Sequence, residues 1–220
     1  MPVVVFVVLE VLPGDVAEVM LGTEARDDTL AALRSGVKEA ACMDFDPNSV
    51  ETTRAVLGKF WTENNYAAFR ENILEDITSP RLQDRTFDIV YSWGVLHHTG
   101  DMWEAVQRAS SYVAPGGLFV IALYKKTPMC GFWRVEKKFY SSLPKWARWP
   151  LDYLYAGAFC LAKLVKGQNP FAYIRDYKQS RGMRYMTDVR DWLGGYPYES
   201  AAPEEVVAKI TAIGFAHVRS

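Results

Sequence analysis

Apolar runs of strand length alternate with amphipathic segments along most of this chain. Val3 to Leu12 is continuous and rich in β-branched residues, the pattern of an interior parallel strand, and Pro13-Gly14 ends it. Asp28 to Ser35 reads as a helix, capped by Asp28-Thr29 and stopped by Gly36. Ala40 to Met43 predicts a second strand, ending in Asp44-Phe45-Asp46-Pro47. Pro47 to Phe60 predicts a helix, with Asp46 as its cap and Pro47 at its first position. Tyr66 to Phe69 is a short third strand.

The clearest unit is Phe87 to Leu123. Phe87 to Tyr91 is a strand that stops at Ser92-Trp93-Gly94, and a loop with two adjacent histidines follows. Met102 to Val113 has helical period, Ala114-Pro115-Gly116-Gly117 breaks it, and Leu118 to Leu123 is a second apolar run. Strand, loop, helix, turn and strand in this order build a parallel sheet with helical crossovers. In such sheets ligands sit at the carboxyl ends of the strands, and the Ser92–Asp101 loop hangs from one.

From Lys125 to Gly195 the alternation stops. Trp146, Trp149, Tyr153, Tyr155 and Phe159 lie among Lys145, Arg148 and Lys163, and Leu151 to Val165 has mixed helical periodicity. A helix resumes after Ala202-Pro203, with Glu204 and Glu205 in its first turn and Gly214 at its end. Phe215 to Arg219 is expected to be a further strand.

Composition sharpens this picture. Half of the 220 residues are hydrophobic and 14% are aromatic, enough for a sizeable core in one domain with a sub-domain. Cys42, Cys130 and Cys160 are widely spaced, which fits a reducing compartment and reads them as small buried hydrophobes. The apolar amino end carries Glu10 and no basic leader, so it reads as a buried strand rather than a signal or a membrane span. Net charge is −1, but residues 125–190 hold 14 Lys+Arg against 4 Asp+Glu. Such asymmetry points either to an anionic partner or to a solvated surface balancing an acidic remainder.

The Phe87–His98 stretch followed by Ala114-Pro115-Gly116-Gly117 resembles class I S-adenosylmethionine-dependent methyltransferases, especially the ubiquinone-biosynthesis O-methyltransferase branch. The resemblance implies an α/β fold: a Rossmann-like, doubly wound, mostly parallel sheet with helices on both faces. It also implies a cofactor-binding core over 1–124, a helical lid carrying aromatic and basic residues over 125–199, and a helix and strand over 200–220. The family's seventh strand is expected to be missing. Arg181-Gly182-Met183 and Asp191 to Glu199 resemble a C-terminal signature of a subgroup.

The implied cofactor is S-adenosylmethionine. Family members end their first strand in a glycine-rich turn. Here either Glu10 to Asp15 or Leu21 to Arg26, with Gly22, occupies that place, and neither keeps a glycine triplet. Asp44 matches the acid that accepts both ribose hydroxyls, with Phe45 beside it. Asn72 and Ile73 match the adenine positions, and Ser92, Trp93 and Gly94 match those beside the sulfonium. His97 or His98 is the candidate base for a substrate hydroxyl; adjacent residues on a short helix diverge by about 100°, so at most one faces the site. Trp103, Tyr124, Trp192 and Tyr198 are candidate acceptor-lining residues. No metal set is expected, because two adjacent histidines without placed carboxylates chelate poorly.

The expected activity is methylation of a small or lipid-like acceptor, favouring oxygen, in the cytoplasm or peripheral to a membrane contacted through 125–190. No nucleic-acid partner is expected. The competing reading is a non-catalytic relative whose cofactor loop is impaired and which binds an anionic partner or membrane through the basic segment. A nicotinamide-dinucleotide enzyme is disfavoured, since no Gly-x-Gly-x-x-Gly follows the first strand.

Overall fold

A computed structural model of the chain describes residues 2–6, 39–59, 66–80, 82–181 and 184–216, of which 2–6, Val56 and Arg181 are described by backbone alone. Two compact units emerge. Among the described residues, one comprises those within 2–6, 39–134 and 197–216, and the other those within 135–196.

The first unit is built on a sheet of β1 (Pro2–Phe6), β2 (Glu39–Asp44), β3 (Tyr66–Arg70), β4 (Phe87–Trp93) and β5 (Val113–Ala122). Their order is β3-β2-β1-β4-β5 and every pairing is parallel. This is the Rossmann-like order, in which the chain crosses from one side of β1 to the other between β3 and β4. Continuous apolar strands suit this sheet: Ala40, Ala41, Cys42 and Met43 are all buried, as are Phe87 and Val90. Phe87 and Leu82 expose nothing, and each contributes about 2 to 3 kcal/mol by leaving water.

Helix α1 (Pro47–Leu57) follows β2. Asp46 caps it, with Oδ1 and Oδ2 accepting from the Asn48 and Ser49 amides at 3.3 Å each. A 3₁₀ turn, Leu96–His98, precedes α2 (Met102–Ser110), whose first turn is capped by Asp101. After β5 the chain enters α3 (Cys130–Ser142), and the first unit is completed by α7 (Pro203–Ala212).

Several boundaries differ from the sequence-based expectation. β4 runs through Ser92 and Trp93, because their backbones pair with Phe6 and with Ile121 and Ala122. The Ala114–Gly117 stretch is not a turn before β5 but an irregularity inside it. Phe87 pairs with Val113 and Ile89 with Leu118, so the extra residues bulge out between them. The helix expected over 102–113 ends at Ser110, and that over 47–60 at Leu57. Of the strand expected at 215–219, Phe215 and Ala216 lie in no strand, and the remainder is outside the described residues. Phe215 instead packs its ring 5.5 Å from that of Phe119. The segment 7–38, with both candidate glycine turns and the helix expected over 28–35, also lies outside them.

The second unit is helical: α3 from Val135, α4 (Lys145–Val165), α5 (Pro170–Arg181) and α6 (Tyr185–Gly194). Its core is Tyr140, Ala156, Tyr177, Tyr185, Val189 and Leu193. α4 starts well before the Leu151 expected from periodicity. Pro150 sits inside it, past the first turn, and leaves the Trp146 carbonyl without the amide that an α-helix would supply there.

Candidate functional site

The carboxyl edge of the sheet gathers most of the residues expected at a cofactor. β1 lies between β2 and β4, so Asp44, the last residue of β2, and Ser92, the last but one of β4, flank it about 10 Å apart across two strand spacings. Asp44 is 3% exposed, and its Oδ1 accepts the Asp46 amide at 2.8 Å. Ser92 is fully buried, and its hydroxyl meets no hydrogen-bond partner. A buried hydroxyl left unpaired costs on the order of 1 to 3 kcal/mol.

Two aromatic rings stand out at the same edge: Phe45 is 64% exposed and Trp93 58%. Trp93 stacks on Tyr91, with centroids 6.1 Å apart and planes 8° off parallel. Gly94 has φ +76, and no atom of the described residues lies within 4 Å of where a Cβ would stand beside Ser92. Asn72 and Ile73 are engaged internally. The Asn72 amide accepts from the Leu74 amide at 3.1 Å and donates to Glu75 at 2.8 Å, while Ile73 belongs to the core cluster. Gly22 lies outside the described residues.

The histidines sit in an aromatic cluster. The His97 ring is 3.9 Å from Tyr124 and 4.4 Å from His98, and Tyr124 is 5.3 Å from Tyr198. His97 is 1% exposed, and neither ring nitrogen makes a hydrogen bond. Burial, and then the neighbouring His98, push its imidazole down to about 3; the Ala122 carbonyl opposes the shift from outside hydrogen-bond geometry. His97 is therefore neutral at physiological pH. His98 is half-buried, and its Nδ1 lies 2.7 Å from the Pro197 carbonyl. A carbonyl only accepts, so Nδ1 carries the proton and the basic lone pair is on Nε2.

The Pro197–Glu199 end of the C-terminal signature acquires a role here. Besides the Pro197 carbonyl on His98, the Glu199 amide donates to the His97 carbonyl at 3.0 Å. The Glu199 carboxylate accepts the Met102 amide at 2.9 Å, at the amino end of α2. Gly100, at φ +92, lets its backbone lie against the Pro197 ring, which would stand 3.5 Å from any Cβ placed there. Pro197–Glu199 thus clamps the histidine loop, a contact across about a hundred residues of sequence that local pattern does not reveal.

Cys130 is the residue that sequence reasoning missed. It is half-buried but not apolar. Burial alone would raise its thiol, yet hydrogen bonds from Ser200, Thr127 and Tyr198 and the Thr127 amide bring it down to about 7. The Thr127 amide is 3.1 Å from Sγ and the Tyr198 hydroxyl 3.5 Å. Cys42 behaves as expected, buried and pushed up to about 12, whereas Cys160 is only half-buried.

The other candidates are dispersed. Trp103 packs on the core and lines a half-open depression of about 230 Å³ with Gln107, Lys209 and Ile213. Trp192 belongs to the helical unit, where the buried Lys137 donates to its carbonyl and sits 4.1 Å over its ring. Among the described residues, no group of three or more His, Cys, Asp or Glu side chains is placed to hold a metal.

Residues 21–121 match the Methyltransf_11 family, described as a methyltransferase domain. The match supports a class I, S-adenosylmethionine-dependent methyltransferase domain. It covers β2 to β5 and every cofactor candidate named above. No curated protein matches the chain at a significant level.

Similarity to solved structures is weak. The complex of the Haloferax volcanii Trm112 methyltransferase activator with a methyltransferase is 19% identical, over 57% of this chain and 46% of that one, with a TM-score of 0.38. The StiE O-MT domain is 13% identical over 64% and 44%, at 0.41. The [4+2]-cyclase SpnF is 12% identical over 57% and 39%, at 0.40. The chain thus spans less than half the length of these structures, and at such scores they carry no argument.

Proposed function

We propose that the chain moves a methyl group from S-adenosylmethionine to a small or lipid-like acceptor, through oxygen in preference. The observation that carries this reading is the pair of buried polar side chains at the ends of β2 and β4. Asp44 offers a carboxylate on one side of β1, and Ser92 an unpartnered hydroxyl on the other. The residues fit the group: a carboxylate for a ribose diol, open backbone at Gly94, and the exposed Phe45 and Trp93 rings for the flat and cationic parts.

When bound, S-adenosylmethionine supplies a methyl carbon activated by its sulfonium. The chain's own work is positioning and proton handling. Asp44 would accept hydrogen bonds from the ribose hydroxyls, and Ser92 would donate to the cofactor's polar end. His98, held in one tautomer by the Pro197 carbonyl, takes the acceptor hydroxyl's proton at Nε2. His97 is too weakly basic for that task and serves as the neutral wall behind Tyr124. Tyr124 and Tyr198 shape the acceptor side.

Calorimetric titration with S-adenosylmethionine and S-adenosylhomocysteine tests the reading. Binding on the order of micromolar is expected, weakened about a hundredfold in Asp44→Ala, because two hydrogen bonds to a carboxylate are lost. A folded chain that binds neither nucleoside overturns it in favour of the non-catalytic relative.

A further inference from the structure

Helix α4 is apolar on both sides, with Leu151, Tyr155 and Phe159 packed on the core of the helical unit. Its inward side carries Asp152, 3% exposed, beside Ala156. Its outward side carries Trp146 (79% exposed), Trp149, Tyr153, Leu154, Leu161 and Leu164, each more than half exposed. At 100° per residue these six fall within an arc of about 140° that runs the length of a helix about 30 Å long. Together they leave on the order of several hundred Å² of exposed side-chain surface in one stripe, the size of patch that is often functional on a soluble surface.

The chemistry around the stripe selects its partner. Asp152 is the one acid in α4, and it faces inward, so the outward face carries no carboxylate. Lys145 opens the helix and Lys166 caps its end; both are exposed. Residues 135–196 hold eleven Lys+Arg and five Asp+Glu, so a second copy would bring like charges together. Exposed leucines do not suit a nucleic acid, which asks for cations and stacking rings. Trp and Tyr over aliphatic side chains, with lysines at both ends, match the boundary between headgroups and acyl chains. Among the described residues no helix is long and apolar enough to cross a membrane, so α4 would lie on it.

We propose that α4 is an interfacial helix that docks on an anionic lipid bilayer, with its Trp and Leu stripe at the acyl boundary and Lys145 and Lys166 among the phosphates. This stands independently of the methyl-transfer reading. The test is co-sedimentation of the full chain with phosphatidylcholine vesicles and with vesicles that also contain phosphatidylglycerol. Partition onto the anionic vesicles is expected to be about tenfold stronger and to fall with salt. W146S/W149S/L161S should lose at least about tenfold of that binding, with an unchanged far-ultraviolet spectrum, since all three side chains are already exposed. Lys145→Glu with Lys166→Glu should remove the preference for anionic lipid while leaving the fold intact. A chain that stays in solution with both vesicle types overturns the proposal. So does equal binding by W146S/W149S/L161S, or a concentration-dependent dimer in sedimentation velocity that W146S/W149S/L161S dissolves.

Discussion

The two units carry different anomalies. In the sheet unit, among the described residues, the buried Thr53, Ser92 and His97 have side-chain atoms without hydrogen-bond partners. In the helical unit Lys137 and Asp152 are nearly inaccessible, while Trp146, Trp149, Leu154, Leu161 and Leu164 of α4 are outside. The difference separates two kinds of missing partner. An orphaned hydroxyl or imidazole asks for a small ligand that reaches in. An exposed apolar stripe asks for a large surface that covers it from without.

The largest effect should come from breaking the inward charge of the helical unit. Asp152 accepts the Tyr140 hydroxyl at 2.5 Å and Arg190 Nε at 2.9 Å. Asp152→Ala leaves the Tyr140 hydroxyl buried without its acceptor. Arg190 is partly exposed and recovers some of its loss in water, so the expected destabilisation is about 3 kcal/mol rather than the upper end for a buried pair. Asp152→Asn, which keeps an acceptor for Tyr140, should lose about half as much. Urea unfolding would show both. A loss below about 1 kcal/mol for the alanine variant would mean that the unit is held by its tyrosine-rich core alone.

The orphaned group of the sheet unit should behave in the opposite way, because removing it removes no bond. His97 is held neutral, down to about 3 against an ordinary 6.5. In the unfolded chain it takes up a proton below about 6.5, while in the fold it does not until about 3. The unfolded state thus binds more protons in that window, so this contribution to stability is complete above it and is lost as pH falls through it. His97→Leu, close in volume and apolar, should lie within about 1 kcal/mol of the parent near neutral pH. On acidification by about two pH units into the window it should retain about 2 to 3 kcal/mol that the parent loses. Parallel acid-dependent slopes for both chains would show that His97 is charged inside the fold.

The strands were legible because the signal that marks them is local. Interior parallel strands need apolar residues on both faces, and Ala40 to Met43 or Phe87 to Val90 provide them without help from elsewhere. The ends of strands were less legible. Gly94 reads as a stop, yet Ser92 and Trp93 are held in the strand by two neighbours far away in sequence. The Pro-Gly-Gly stretch reads as a turn for the same reason. The helix α4 was half legible: its existence follows from period, but both of its arcs are apolar enough to be inward, and only packing decides that Asp152 faces in and Trp146 out. At the site, Asp44 and Ser92 were named through the family resemblance, whose motifs are short and local in sequence. The polar surroundings of Cys130 and the clamp on His98 could not be named, because Tyr198, Ser200 and Pro197 arrive some seventy to a hundred residues later.

The smallest effect is a pair of glycines, and its value lies in sign. Gly94 follows β4 with φ +76 and open space where a Cβ would go. Gly157 lies within α4, also with open space and with an ordinary helical backbone. The same substitution to alanine meets no clash at either position, so only the backbone decides. Gly94→Ala forces an L-residue into the left-handed region and should cost about 1 kcal/mol. Gly157→Ala spares the unfolded chain's extra freedom and should stabilise by about 0.5 to 1 kcal/mol. The site consequence also divides. Gly94→Ala narrows the open backbone beside Ser92 and should weaken S-adenosylmethionine binding, whereas Gly157→Ala adds one methyl to the apolar stripe and should leave vesicle binding equal or slightly stronger. If Gly94→Ala were instead neutral in both stability and cofactor binding, the edge beside Ser92 would be neither strained nor occupied, and the contrast between a ligand-seeking sheet edge and a surface-seeking helix would rest on α4 alone.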